Sequence, residues 1–270
     1  MVGPRDWEAR EPRRSGMVRR VLPPLLAFAV ILGGLAYLGG DLQELLGTAP
    51  GSPISAAAKH RLYGDTEPVD GRCDTLPKDI DADVRASLNA FTGCLERMWA
   101  ATLARADIDY EPPGEVRLVA DPEEAACGID DYDWAGIYCP GPRVVNVLVE
   151  GERAFPMMFT LAHEYAHHVQ EVSGIADQRG SEAFDEAWSR RLELQADCLA
   201  SVTLRNVAPR RLENLRLLAG RGPGADEGME AGYRQSHGSG ASSAEWMLRG
   251  QKGGTVGSCN TWGAPAERVS

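Results

Sequence analysis

Two histidines four residues apart, with a glutamate directly after the first, form the core of "LAHEYAHHVQ": His163, Glu164 and His167. An imidazole offers a nitrogen lone pair to a divalent metal, and a carboxylate beside the ion can take a proton from water. In a helix, residues four apart share a face one turn apart, so His163 and His167 present both rings to a single ion. Glu164 is turned away by about 100°. It can therefore reach a water beside the metal without becoming a ligand. This H-E-x-x-H spacing is that of metal-assisted hydrolysis. His168 falls on a different face and reads as a packing or hydrogen-bonding residue.

Two imidazoles do not complete a catalytic zinc site, which takes three protein ligands and keeps a fourth position open. The segment "RRLELQADCLA" places Glu193 and Asp197 four residues apart, again on one helical face. Glu193 is the expected third ligand. Asp197 then fits as the acceptor that orients a ligand imidazole through its other ring nitrogen. Leu192, Leu194, Ala196, Leu199 and Ala200 surround the pair, and carboxylates in apolar surroundings need partners or a metal.

The elements that must hold these residues follow from periodicity. A helix is expected over 153–173, carrying the histidines, and a second over 182–205, carrying the acids. Apolar residues at helical spacing predict a further helix over 78–106, ending before Pro112 and Pro113. "EVRLVA" at 115–120 and "RVVNVLVE" at 143–150 are rich in β-branched residues and predict strands, with a loop holding Cys127 and Cys139 between them. "PRRLENLRLLAG" predicts a helix over 209–220, "GRGPGADEG" a loop, and 225–235 and 242–250 shorter helices before a glycine-rich tail. Strands followed by helices predict an α+β, helix-dominated domain with a small sheet.

The 270 residues are 43% apolar, enough for a substantial core. The net charge of −11 is uneven: residues 1–20 hold six arginines and three acids, whereas 41–270 carry 22 basic and 36 acidic side chains. An acidic domain excludes nucleic acid as a partner, since phosphate binding requires a basic surface. Residues 21–40, "VLPPLLAFAVILGGLAYLGG", lack any charge and follow Arg13, Arg14, Arg19 and Arg20. That length suits a membrane-spanning helix, longer than the apolar region of a cleaved leader. The expected layout is a cytoplasmic basic segment at 1–20, a single-pass membrane anchor at 21–40, an extracytoplasmic linker at 41–75 and a domain over 76–270 outside the cytoplasm. Six cysteines, all beyond the anchor, agree with an oxidising compartment. They allow 15 pairings. Cys73 with Cys94 and Cys127 with Cys139 would close short loops, and Cys198 with Cys259 would tie the second long helix to the tail.

"LAHEYAHHVQ", "RRLELQADCLA", and "SHGSG" with "EWMLRG" and "SCNTW" resemble, in order, the bacterial neutral zinc metallopeptidases, exported or single-pass proteins of zincin type. The resemblance implies a zincin-like fold with Zn2+ held by His163, His167 and Glu193, and Glu164 as general base. It implies hydrolysis of a peptide or protein substrate by a zinc-activated water. It also supports pairing Cys198 with Cys259. The chain departs from the family where a Gln-Arg pair is expected, having Ser242 and Ser243 instead. His237 is a candidate for electrophilic stabilisation, with loop packing the other reading. The departure keeps open a second reading, a noncatalytic zinc-binding envelope scaffold of the same fold.

Overall fold

The computed structural model describes residues 52–65, 67–127, 134–151, 153–179, 185–207 and 231–270. The anchor expected at 21–40, the helix at 209–220 and the loop after it lie outside these residues. Among the described residues no helix is long and apolar enough to cross a membrane.

Helix α1 (Pro53–Ala58) and a 3-10 turn at Arg61–Tyr63 come first. Helix α2 (Val84–Arg105) follows, and then strands β1 (Glu115–Val119), β2 (Gly136–Cys139) and β3 (Val144–Leu148). Helices α3 (Ala154–Val172), α4 (Glu186–Val207), α5 (Ala231–His237) and α6 (Gly240–Gly253) follow among the described residues. The sheet order is β1-β3-β2, with β3 parallel to β1 and antiparallel to β2. The fold is thus α+β and helix-rich, as the sequence predicts.

Helix α2 starts later than the sequence suggests because three aspartates shape the chain before it. Asp83 caps the helix through the Ala86 N–H, and the Asp79 carboxylate accepts from the Asp81 N–H. Such side chains compete with helical backbone bonds and favour caps. Asp81 also caps α3, whose own N-cap residue makes no side-chain bond. Its Oδ1 accepts from the Ala154 N–H at 2.8 Å.

Helix α3 runs through the core. Phe155, Met158, Ala162, Tyr165 and Val169 are buried at three- and four-residue spacing against α2, the sheet and α4. Helix α4 in turn packs on α6, where a Cβ on Gly250 would sit 2.3 Å from the Cys198 carbonyl oxygen. Only glycine permits that approach. The three expected disulfides, Cys73–Cys94, Cys127–Cys139 and Cys198–Cys259, are all formed.

One expectation is corrected, and a second stretch carries more structure than its composition suggests. Within this stretch, residues 52–75, several apolar side chains are buried. Ile54 and Ala57 of α1 join Ile175, Trp188 and Trp262 in a satellite core, while Leu62 and Val69 enter the main one. Its glycines and prolines suppress a sustained period, but these few apolar residues suffice to dock it. The corrected expectation is β2, which falls in the expected loop: four residues including glycine and cysteine give too short a pattern to read.

Candidate metal centre

His163 and His167 project from α3 toward Glu193 of α4. The two Nε2 atoms are 3.2 Å apart, and Glu193 Oε2 lies 3.2 Å from His163 Nε2 and 3.3 Å from His167 Nε2. These three residues are the group among the described residues that could hold a metal ion. A tetrahedral ion with bonds of about 2.1 Å separates adjacent ligand atoms by about 3.4 Å. The triangle fits that spacing.

Protonation points the same way, with tautomers assigned from the hydrogen-bond network. His163 Nδ1 lies 3.0 Å from Asp197 Oδ1, an acceptor. His167 Nδ1 lies 2.8 Å from Gln170 Oε1. Gln170 directs its amide nitrogen to the Leu192 carbonyl at 2.8 Å and to Gln195 Oε1 at 2.9 Å, so the oxygen must face the histidine. In the neutral rings both Nδ1 atoms carry hydrogen, and two Nε2 lone pairs converge with a carboxylate oxygen. Such a cluster could hold a cation.

Without a metal the charges adjust accordingly. Burial would lower the His163 imidazole, but the hydrogen bonds it donates to the Asp197 and Glu193 carboxylates outweigh it and hold the group well above its usual value. His167 is raised in the same way, chiefly by Glu193 against the effect of burial. Burial would raise the Glu193 carboxyl, but His167 and His163 keep it well below the carboxylate range.

Glu164 is 8% exposed and sits where α3 meets β2. A Cβ on Gly136 would lie 2.8 Å from Glu164 Cγ and 2.5 Å from Thr160 Cγ2. The missing side chain at Gly136 is what lets the strand lie against the glutamate. Burial raises the Glu164 carboxyl, while His163, His167 and a hydrogen bond from the Tyr138 backbone oppose the rise. The side chain of Tyr138 reaches the next turns of α3, donating to Glu171 Oε2 at 2.7 Å and lying 3.1 Å from His168 Nδ1. His168 is fully buried, and its Nε2 bonds the Glu111 carbonyl at 2.8 Å. It faces the sheet rather than the metal triangle.

The remaining predicted residues come together around the acids. His237, at the end of α5, brings Nε2 to 3.5 Å from Glu193 Oε2, the oxygen already shared by both histidines. Ser243 of α6 donates to Asp197 Oδ2 at 2.5 Å, and Ser242 donates to the Ser270 carbonyl oxygen at 2.7 Å. Gln170, Gln195 and Gly136 escape sequence reasoning, as does the contact of Ser243 with Asp197. A signal existed for Gln170, which stands three residues after His167 on the same face. Gln195 and Ser243 meet the site only through packing of α4 and α6.

Comparison with known proteins agrees with this geometry. The family profile described as "Putative neutral zinc metallopeptidase" matches residues 21–217. The protein YpfJ of Escherichia coli K12 is 25% identical over 266 residues, covering 88% of this chain and 86% of its own. Rv2575 of Mycobacterium tuberculosis H37Rv is 30% identical over 178 residues, covering 58% and 56%. Both relatives are uncharacterized proteins. No solved structure matches the chain. With the profile spanning more than half its length and both helices of the metal triangle, the chain belongs to the neutral zinc metallopeptidase family.

Proposed function

We propose that the protein is a membrane-anchored zinc metallopeptidase acting outside the cytoplasm, with His163, His167 and Glu193 as the zinc ligands. The observation that carries this reading is the mutual 3.2–3.3 Å spacing of the three ligand atoms beside a buried, unliganded carboxylate, Glu164. Zinc, when bound there, polarises a carbonyl and acidifies water. Glu164 takes the proton from the attacking water and delivers one to the leaving amine. Its raised affinity for a proton, a consequence of burial, suits both halves of that task. Asp197 holds His163 by its Nδ1 and so keeps Nε2 free for the ion. His237 stands beside Glu193, its Nε2 3.5 Å from Oε2, where it can hydrogen-bond a carbonyl oxygen that gains charge. The apolar, uncharged run at 21–40 and the three disulfides support an anchored domain in an oxidising compartment.

A second reading, a zinc-binding scaffold without turnover, is favoured by Ser242 and Ser243 standing where a Gln-Arg pair is expected, with the Ser243 hydroxyl committed to Asp197. Digestion of a peptide library by the exported domain, with Glu164→Gln beside it, decides between them. The peptidase cleaves, and the variant keeps about one zinc per chain but loses turnover by several orders of magnitude. A variant cleaving at the parental rate removes Glu164 from the chemistry. A zinc-loaded parental protein that cleaves nothing leaves the scaffold.

A further inference from the structure

The hydrogen bond to His167 does not end at Gln170. It continues inward through groups that each have a fixed direction. Gln170 Nε2 donates to Gln195 Oε1, and Gln195 Nε2 donates to the phenolic oxygen of Tyr63 and, at 3.4 Å, to the Cys259 carbonyl. Gln170 is 1% exposed and Gln195 is fully buried, so water does not substitute for these partners. Tyr63 belongs to the 3-10 turn after α1, outside both metal-bearing helices. The satellite core of Ile54, Ala57, Ile175, Trp188 and Trp262, against which Tyr63 packs, seats that turn.

The direction of the chain matters more than its bonds taken singly. An amide can be reversed end for end at little cost in shape, and reversal exchanges donor for acceptor. If Gln170 reversed, its amide nitrogen would face His167 Nδ1 and require a lone pair there. The ring hydrogen would then move to Nε2, the atom aimed at Glu193 and His163. Metal binding at that nitrogen would be blocked. Two acceptors oppose reversal, the Leu192 carbonyl and Gln195 Oε1, and Gln195 is itself held by Tyr63 and the Cys259 carbonyl.

We infer that Gln170, Gln195 and Tyr63 form a buried relay that sets the tautomer of His167 and makes metal affinity depend on the Tyr63 hydroxyl, in the turn that precedes α2. All three are positioning residues, and none touches the ion or the reacting atoms. The inference rests on the metal-centre reading above.

The test is zinc affinity of the full chain, measured by competition with a chelator, beside thermal stability. Gln170→Leu removes the acceptor for Nδ1 and weakens zinc binding by about 10- to 100-fold, the usual effect of losing such a partner. Gln170→Glu keeps an acceptor and binds more tightly than Gln170→Leu. Gln195→Leu and Tyr63→Phe give smaller losses, in that order. Ile54→Val serves as the packing control: it loosens the same segment without touching the relay, and it lowers stability while leaving affinity unchanged. Exchange of the His167 Nδ1 proton, followed by NMR in the zinc-loaded protein, accelerates in Gln170→Leu. Wild-type affinity in Gln170→Leu overturns the relay alone. Affinity that merely tracks stability across all variants, Ile54→Val included, does the same. A wild-type chain that takes up no zinc overturns the metal-centre reading and the relay with it.

Discussion

Asp197 Oδ1 stands 3.0 Å from His163 Nδ1, while its other oxygen receives the Ser243 hydroxyl at 2.5 Å. The carboxylate is therefore fixed by two residues from different helices, and its orientation of the imidazole does not depend on α4 alone. Asp197→Ala frees the ring and is expected to weaken zinc binding by about 10- to 100-fold. Ser243→Ala leaves the carboxylate in place and loses less. Chelator competition on the two variants reports the order, and a Ser243→Ala loss equal to that of Asp197→Ala would show that the hydroxyl, not the carboxylate, governs the ring.

The glycine at 136 is a matter of space. An added methyl meets the side chains of Thr160 and Glu164 at 2.5 and 2.8 Å, so Gly136→Ala must displace the strand or the glutamate. Overpacking of this kind costs about 1–3 kcal/mol of stability. His163 and His167 lie on an adjacent face of α3 and do not meet Gly136, so zinc content should stay at the parental level by elemental analysis. Under the proposed mechanism turnover should fall more than tenfold, because Glu164 moves relative to the metal group. Equal losses of zinc and turnover would instead indicate a collapse of α3.

The legible part of this protein was the part encoded by period and spacing. Helices α3 and α4 declare themselves through apolar residues three and four apart, and the candidate metal group follows from His163 and His167 four apart on the first and Glu193 on the second. What stayed hidden depends on contacts between distant segments. Strand β2 is four residues long and exists because β3 offers it a ladder. Gln195 looks like one more polar residue on an amphipathic helix until Tyr63, 132 positions earlier, arrives beside it. Docking of α1 rests on Ile54 and Ala57, whose partners Ile175, Trp188 and Trp262 lie more than a hundred residues away. Local sequence holds no record of such pairings.

The disulfides differ in what they constrain. Cys198–Cys259 spans 61 residues and joins α4 to the turn whose Cys259 carbonyl accepts from Gln195. Loop-closure entropy assigns it about 4 kcal/mol, against about 3 kcal/mol each for Cys73–Cys94 and Cys127–Cys139. Paired serine substitutions should lower the midpoint of denaturation most for Cys198–Cys259. Only that pair should also weaken zinc binding, because it alone adjoins the amide relay. If the Cys127–Cys139 replacement proves the most damaging, strain or residual structure outweighs loop length.

Zinc and protons compete for the same atoms, and the sign of the pH effect follows. In the metal-free chain Glu193 is depressed by His167 and His163 against the effect of burial. That contribution to stability is present above the unfolded carboxylate value, about 4.3, and lost as pH falls through the lower folded value. His163 and His167 are raised by Asp197 and Glu193 against burial. Their contribution is complete below the unfolded imidazole value, about 6.5, and disappears as pH climbs through the higher folded values. The metal-free domain is thus best served between about pH 4.3 and about pH 6.5. Zinc needs neutral imidazoles and must displace their protons, so its affinity rises with pH. Each tenfold gain in affinity adds about 1.4 kcal/mol at saturating metal. The shift in melting temperature produced by zinc should accordingly grow from about pH 5.5 to about pH 8. Thermal melts with and without zinc across that range measure it, and a shift that stays flat or shrinks would remove the two histidines from the ligand set.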